Sequence, residues 1–494
     1  MCLIVVMNYL LKVPILFEFG GIIMETTTQT LNKNRWLILV AIGLFTFMST
    51  LDGSIVNIAL PIMSKNMSIP MNKTEWIVSI YLMTVCACLP LFGKIGDSIG
   101  KIKIFRIGTI TFVFGSLLCG IFHTFELLLM ARIIQAIGAS MTMSTNTGII
   151  TEVFPLQERG RALGMIGAFV SLGSIMGPGL GGVILAKFSW EYIFLINVPI
   201  GILTILLGQK VLPKDSTKSG AKIDYTGFIL FATIIITLFG GIFIGQEAGY
   251  TKPLPLTLII ISLISMPIFY QMERKKHNPL IQFSLFKNKV FTLSLLTASM
   301  IFVTNFFTNV VVPFYLQNTR GYSASFAGLL MMVIPFTMII GSPISGYITD
   351  KIGAKLLTFI GLILITISQL LYLSLGQQTS LVFFVFASIF VGLGNALFQA
   401  PNNTLVMSNV EKKDLGVAGS LNSLARNLGM VIGISLSTTV LYAAMSHNYG
   451  EKVTTYISGR PDVFIYGMHA VYVTSTMICL VATIITGIRF FKSK

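Results

Sequence analysis

The chain has 494 residues, of which 54% are hydrophobic and only 11% charged. A water-soluble globular chain carries roughly 25% charged residues, so the composition excludes one and points to a membrane protein. The formal charge of +16 would suit a nucleic-acid partner only if it formed a patch, and it is instead dealt out among the loops.

Residues 1-23 are a short apolar segment interrupted by Lys12 and Glu18, with no signal-peptide cleavage pattern. Translation is expected to begin at Met24, which makes 1-35 an N-terminal segment. Apolar runs of about 20 residues then recur, each long enough at ~1.5 Å rise per residue to cross ~30 Å of hydrocarbon. They predict fourteen transmembrane helices near 36-63, 75-93, 104-122, 125-149, 160-186, 192-211, 225-245, 254-272, 290-316, 323-349, 356-376, 380-405, 415-446 and 464-490. The predicted fold class is all-α integral membrane.

With a cytoplasmic N-terminus, most of the 34 Lys and Arg residues fall on the inside, in clusters such as Lys101, Lys103 and Arg106, Lys210 to Lys222, Arg274 to Lys276, and Lys412 with Lys413. That asymmetry is the positive-inside pattern, so the charge reports topology and predicts both termini in the cytoplasm of a bacterial cell. Trp36, Trp76 and Trp190 each stand at a predicted span end, as in an interfacial aromatic belt. The five cysteines are scattered mostly inside apolar spans, unlike a disulfide framework or a metal site, and read as core residues.

An internal repeat is legible. Gly93, Asp97 and Gly100 match Gly346, Asp350 and Gly353 at one constant offset, and Gly138, Asn146, Gly160, Gly173 and Gly177 match Gly394, Asn402, Gly416, Gly429 and Gly433 at another. Equivalent loops then lie on one membrane face, so the halves are parallel six-helix repeats, 36-211 and 290-494. The segment 212-289 is left as an inserted helical hairpin with basic linkers. Two such halves around a midplane site are the architecture of alternating access, a symmetry that a channel or a membrane enzyme does not need.

Few ionisable groups lie inside the spans, where a charge costs at least ~2.5 kcal/mol on insertion scales. Asp52 sits deep in the first span and Arg132 at a similar height in the fourth, so they can meet. Desolvation raises the proton affinity of such a carboxyl and the arginine lowers it, which suits a coupling proton. The alternative is structural: Asp52 bonds a neighbouring helix and Arg132 snorkels to the outer interface. Gln135, one turn from Arg132, can share the network or act as polar glue. In the fifth span Gly173, Gly177 and Gly181 share one face, with Pro178 and Gly182 beside them, allowing close helix approach. In the repeated loop motif, Asp97 and Asp350 stand beside glycines that permit a tight turn, with Lys101 and Lys355 following. A carboxylate there can cap a helix of the opposite half and release it on rotation, a gate, or merely mark a charged turn. Asn305, Asn309, Asn395, Gln399, Asn402 and Asn403 are candidate cavity amides, and Arg426 is read as snorkelling to the cytoplasmic end.

These stretches resemble the major facilitator superfamily, and within it the fourteen-span drug:proton antiporter-2 branch. LDGSIVNIALP from Leu51 is similar to that branch's first-span signature and puts its carboxylate on Asp52. GKIGDSIGKIK from Gly93 resembles the superfamily loop motif, with Ser98 where arginine is usual. LLMARIIQAIGA from Leu128 resembles the proton-transfer motif and puts its arginine on Arg132. GSIMGPGLGG from Gly173 resembles the antiporter motif, and WEYIFLINVPIG from Trp190 and PFYLQNTRGYSASFAGLLMMVIP from Pro313 resemble two further stretches of the branch. The resemblance implies proton-coupled export of small lipophilic, often cationic, drugs. Some relatives of the branch export lipids or fatty acids, so the alternative is a dedicated exporter of one endogenous lipid, fatty acid or metabolite, and a non-transporting membrane sensor is the reading from another class.

No GxxxxGK[ST] occurs, against an ATP-driven pump. No cofactor, metal or enzymatic activity is expected. The expected partners are a lipophilic substrate, protons and membrane lipids, without nucleic acid, for a chain acting as a monomer.

Overall fold

A computed structural model describes residues 26–69, 76–215, 223–249, 251–276, 279–322, 324–411, 414–451, 453 and 456–491. Met24, Lys218, Lys222, Lys412 and Lys413 lie outside them, as does the side chain of Pro178. The described residues are almost entirely helical, and fourteen helices are long and apolar enough to cross a membrane. They contain α1 (Thr26–Asn66), α2 (Trp76–Ile99), α3 (Lys101–Ile121), α4 (Phe125–Val153), α5 (Arg159–Lys187), α6 (Asn197–Val211, which completes its span with the one-turn helix Tyr192–Leu195), α7 (Tyr225–Ala248), α8 (Pro253–Lys275), α9 (Lys289–Phe314), α10 (Val333–Ile352), α11 (Ala354–Leu373), α12 (Leu381–Ser408), α13 (Leu415–Tyr449) and α14 (Pro461–Phe491). The span ending in α10 begins as a separate helix, Ala324–Met331, so the run expected at 323-349 is broken near Met332.

The glycines explain which helices touch. A Cβ on Gly173 would lie 2.6 Å from the Phe47 carbonyl oxygen of α1, and one on Gly177 would run into Ser54 Oγ. Ser54 also donates to the Gly173 carbonyl at 3.2 Å. In the second half a Cβ on Gly429 would lie 2.5 Å from the Ser299 carbonyl oxygen of α9, and one on Gly433 2.6 Å from that of Val303. The repeated glycines therefore bring α5 onto α1 and α13 onto α9 in the same way. In lipid, close backbone approach of this kind supplies the packing that the hydrophobic effect cannot. Asn146 and Asn402 repeat too: Asn146 Nδ2 donates to Thr46 Oγ1 on α1 and Asn402 Nδ2 to the Ser294 carbonyl on α9.

Helices α2 and α13 pack together, as do α5 and α10, joining the first six spans to the last six. Helices α7 and α8 pair, and α7 lies against α2, with Trp76 beside Phe243. At the hairpin's basic end Lys276 Nζ reaches Asp224 at 2.6 Å and Glu273 at 3.2 Å. Burial works against the Asp224 charge, but hydrogen bonds with Glu273 and Lys276 outweigh it and hold its carboxyl below the ordinary value.

Two expectations are corrected. Trp190 is 3% exposed and packs on Phe194, so it is a core residue rather than part of an aromatic belt. The motif expected as a loop is mostly helix. Gly93 and Asp97 ride on the last turns of α2, Gly346 and Asp350 on those of α10, and only Gly100 and Gly353, at φ +119° and +88°, make the break. A left-handed φ is open to glycine at little cost, which lets the next helix start within one residue.

Candidate functional site: a buried ion pair and an amide-lined cavity

Asp52 is 0% and Arg132 1% exposed, and their closest atoms, Arg132 Nη1 and Asp52 Oδ2, are 2.8 Å apart. Asp52 Oδ1 accepts from Gln135 Nε2 at 2.9 Å and from Asn197 Nδ2 at 2.8 Å. Gln135 Nε2 also donates to Ser116 Oγ at 2.7 Å, and Gln135 Oε1 accepts from Arg132 Nη1 at 2.5 Å. Arg132 Nε donates to the Ile77 carbonyl, and the guanidinium lies 4.3 Å from the Tyr81 ring centre and 5.5 Å from that of Phe194. Five helices, α1, α2, α3, α4 and α6, with the turn bearing Phe194, thus converge on one carboxylate. A buried pair is tolerated when its remaining hydrogen-bonding capacity is met, as it is here. Arg132 does not snorkel, since its charge points into the protein.

Asn197, Ser116 and Tyr81 escaped the sequence reading. Asn197 is a polar residue in the apolar run from Tyr192, and that is its only signal in the sequence. Ser116 and Tyr81 carried none, because serine and tyrosine are ordinary in membrane helices.

The motif carboxylates are both engaged across the molecule. Asp97 accepts from the backbone nitrogens of Gly416 and Val417, each at 2.9 Å, at the start of α13. Asp350 accepts from those of Gly160 and Arg161, at 2.9 and 3.0 Å, at the start of α5. Each acid sits near the negative end of its own helix, where a carboxylate is disfavoured, and at the positive end of the partner helix, where it is favoured. Lys101 Nζ reaches both Asp97 and Glu152 at 2.8 Å. A third carboxylate, Asp215, caps α3 through Ile102 and Lys103 and was not foreseen. The same end is tightened by Gly93, whose Cβ would lie 2.5 Å from Ser420 Oγ, and by Ser423 Oγ donating to the Met143 carbonyl at 3.1 Å.

Of the antiporter-motif residues, Gly173, Gly177 and Gly181 face α1, whereas a side chain at Gly182 would meet nothing within 4 Å. Among the amides, Asn305 and Asn395 exchange hydrogen bonds at 2.7 and 3.0 Å, and Gln399 Nε2 donates to Asn395 Oδ1 at 3.1 Å. Asn402 is turned to α9, and Asn309 is exposed, apart from the cluster. Arg426 is a further correction. Its guanidinium lies 5.7 Å from the Phe302 ring centre and lines a cavity with Phe398, Gln399, Asn402 and Asn403. Roughly 16 Å along α13 from Leu415 at the helical rise, it is too far in to reach the basic surface. A separate apolar cavity of about 540 Å³ lies at the seam between α5, α10 and α12, lined by Ile175, Phe336, Ile340 and Leu393 among others. Among the described residues no His, Cys, Asp and Glu group is arranged to hold a metal ion.

The sequence matches the Major Facilitator Superfamily over residues 42–434. It is similar to the riboflavin transporter RibZ of Clostridioides difficile, 33% identical over 94% of this chain and 98% of that protein. It is also similar to multidrug resistance protein 3 of Bacillus subtilis, 31% identical over 84% of this chain and 81% of that protein. In fold it resembles the human organic anion transporter MFSD10, with a TM-score of 0.62 and 15% identity across 93% of this chain and 99% of that one. The proton:xylose symporter XylE superposes with a TM-score of 0.61 at 13% identity, across 90% of this chain and 95% of that one. With fourteen spans, and with relatives that carry the name of multidrug resistance, the chain belongs to the Major Facilitator Superfamily as a multi-pass membrane transporter.

Proposed function

We propose that this protein is a proton-coupled antiporter that exports small lipophilic compounds across the bacterial cytoplasmic membrane, as a monomer with both termini inside. The observation that carries the reading is the Asp52 carboxylate, fully buried and held by Arg132, Gln135 and Asn197. Protonation removes the charge that holds Arg132, so occupancy by a proton biases the packing of α1, α4 and α6. The halves 36-211 and 290-494 rock about the midplane, with 212-289 alongside. The Asp97 and Asp350 caps close the cytoplasmic end in the conformation described, and the glycine face between α1 and α5 seals the first half. The apolar seam cavity, within the ~300 to 1,000 Å³ range of small-molecule sites, offers room for a lipophilic body.

A second reading is favoured by the 33% identity with RibZ: a carrier dedicated to one metabolite, with the same coupling. The experiment is proton movement in energised inverted vesicles challenged with lipophilic drugs and, separately, riboflavin, comparing wild type with Asp52→Asn. Drug-dependent proton movement lost in the variant is the expected result. A response to riboflavin alone would favour the dedicated carrier, and a drug response that survives in Asp52→Asn would remove Asp52 as the coupling site.

A further inference from the structure

Two arginines lie deep within the spans, Arg132 buried and Arg426 half-buried, and they are treated in opposite ways. Arg132 has a carboxylate, an amide, a carbonyl and two rings around it. Arg426, among the described residues, makes no ion pair and no hydrogen bond, and its Nε is buried without an acceptor. A guanidinium stays charged in a protein. An uncompensated charge in a low-dielectric interior is strongly unfavourable, and intramembrane charges that persist mark substrate paths. What surrounds Arg426 is one aromatic face, Phe302, and the amides of Gln399, Asn402 and Asn403. Cationic and amide N–H donors together form the chemistry that binds an oxyanion through charge-assisted hydrogen bonds.

We infer that Arg426, with the amides of Gln399 and Asn403, forms a subsite for an oxyanion, a carboxylate, sulfonate or phosphate ester, carried by an otherwise apolar transported compound. This names a substrate class for the export reading above and rests on it. It also reverses the cationic preference that the family resemblance implied. Asp52, the carboxylate that would attract a cation, has both oxygens occupied, whereas the unmet charge is positive. Helix α12 lines both cavities, with Ala396 and Leu397 on the apolar one and Gln399 and Asn402 on the polar one, so a compound with an apolar body and an anionic head is matched along a single helix. The polar cavity is about 10 Å³, the size that admits one water, so the head enters as α9, α12 and α13 shift.

The test is equilibrium binding to the purified full chain in phosphatidylcholine nanodiscs, with no gradient, of 8-anilinonaphthalene-1-sulfonate and of the cation ethidium. Arg426→Gln is expected to weaken sulfonate binding by about 10- to 100-fold, the loss of one charge-assisted contact, and to leave ethidium within about 3-fold. Arg426→Lys, which keeps the charge without the fork, is expected in between. Gln399→Leu, which keeps the arginine, is expected to weaken the sulfonate by about 3- to 10-fold and reads the subsite if Arg426→Gln fails to fold. Equal losses for anion and cation, or wild-type sulfonate binding in Arg426→Gln and Gln399→Leu, would overturn the subsite. Abolition of the Arg426 dependence by phosphatidylglycerol would assign the site to a lipid headgroup and overturn a transported anion as its occupant. Because binding needs no proton gradient, this result and the Asp52→Asn flux result fail independently of each other.

Discussion

At the scale of single residues, the site is organised by what each charge can find. Asp52 is bonded on both oxygens, so removing Arg132 does more harm than removing the pair. Arg132→Ala is expected to lower stability by about 3–5 kcal/mol, since it leaves a buried carboxylate without its counter-charge. It is read as thermal unfolding of the protein in detergent. Adding Asp52→Asn to that variant is expected to restore part of the loss, with a coupling of about 0.5–3 kcal/mol in a double-mutant cycle. Strictly additive losses would mean that the two side chains do not act as a unit. Arg426 has no carboxylate to lose, and the same cycle with Asp52 is expected to give no coupling.

At the scale of helices, small residues decide which surfaces meet. The α1–α5 seam is closed by Gly173, Gly177 and Gly181, whereas Gly182 looks outward. Gly177→Leu is therefore expected to stop substrate-dependent proton exchange and to destabilise by about 1–3 kcal/mol through overpacking. Gly182→Ala, on the open face of the same helix, is expected to match wild type in both. Vesicle flux and thermal unfolding of the two variants side by side check this, and equal damage from both would mean that the motif does not act through the α1–α5 contact. The loop motif makes the related point that a carboxylate on the last turn of a helix works on the helix it faces. Asp97 and Asp350 are disfavoured by their own helices and satisfied by α13 and α5.

At the scale of the whole molecule, those two caps tie the first six spans to the last six at one end. Loss of an N-cap side chain costs about 0.5–2 kcal/mol, and about 1.4 kcal/mol is a tenfold change in a conformational ratio. Asp97→Ala with Asp350→Ala, which removes both caps, is thus expected to shift the population by roughly one to three orders of magnitude toward a state open at the basic end. Spin labels placed on the basic ends of α4 and α12 would report longer distances, and an unchanged distribution would show that the caps are not what closes that end. For the proposed proton exchange the driving force is bounded as well: one proton moving down ~100 mV supplies about 2.3 kcal/mol, which sustains roughly a 50-fold gradient per charge.

The fourteen spans and the repeated glycines were legible because each depends on local composition or fixed spacing. Hydrocarbon sets the length of a span, and a glycine face follows from a period of four residues. The helical state of the motif around Asp97 was not legible, because polar residues at a span end look like a loop until a partner helix is seen to satisfy them. Asn197 and Ser116 became part of the Asp52 network only when α3 and α6 were placed beside α1. Arg426 is the sharpest case. Its distance along α13 sets it too deep to snorkel, and what it meets there, Phe302 and the amides of α12, belongs to other helices. Sequence spacing determines which side chains share a helix, whereas whether a charge meets a carboxylate, a ring or an empty cavity depends on helices far away in the chain, and only the tertiary packing brings those together.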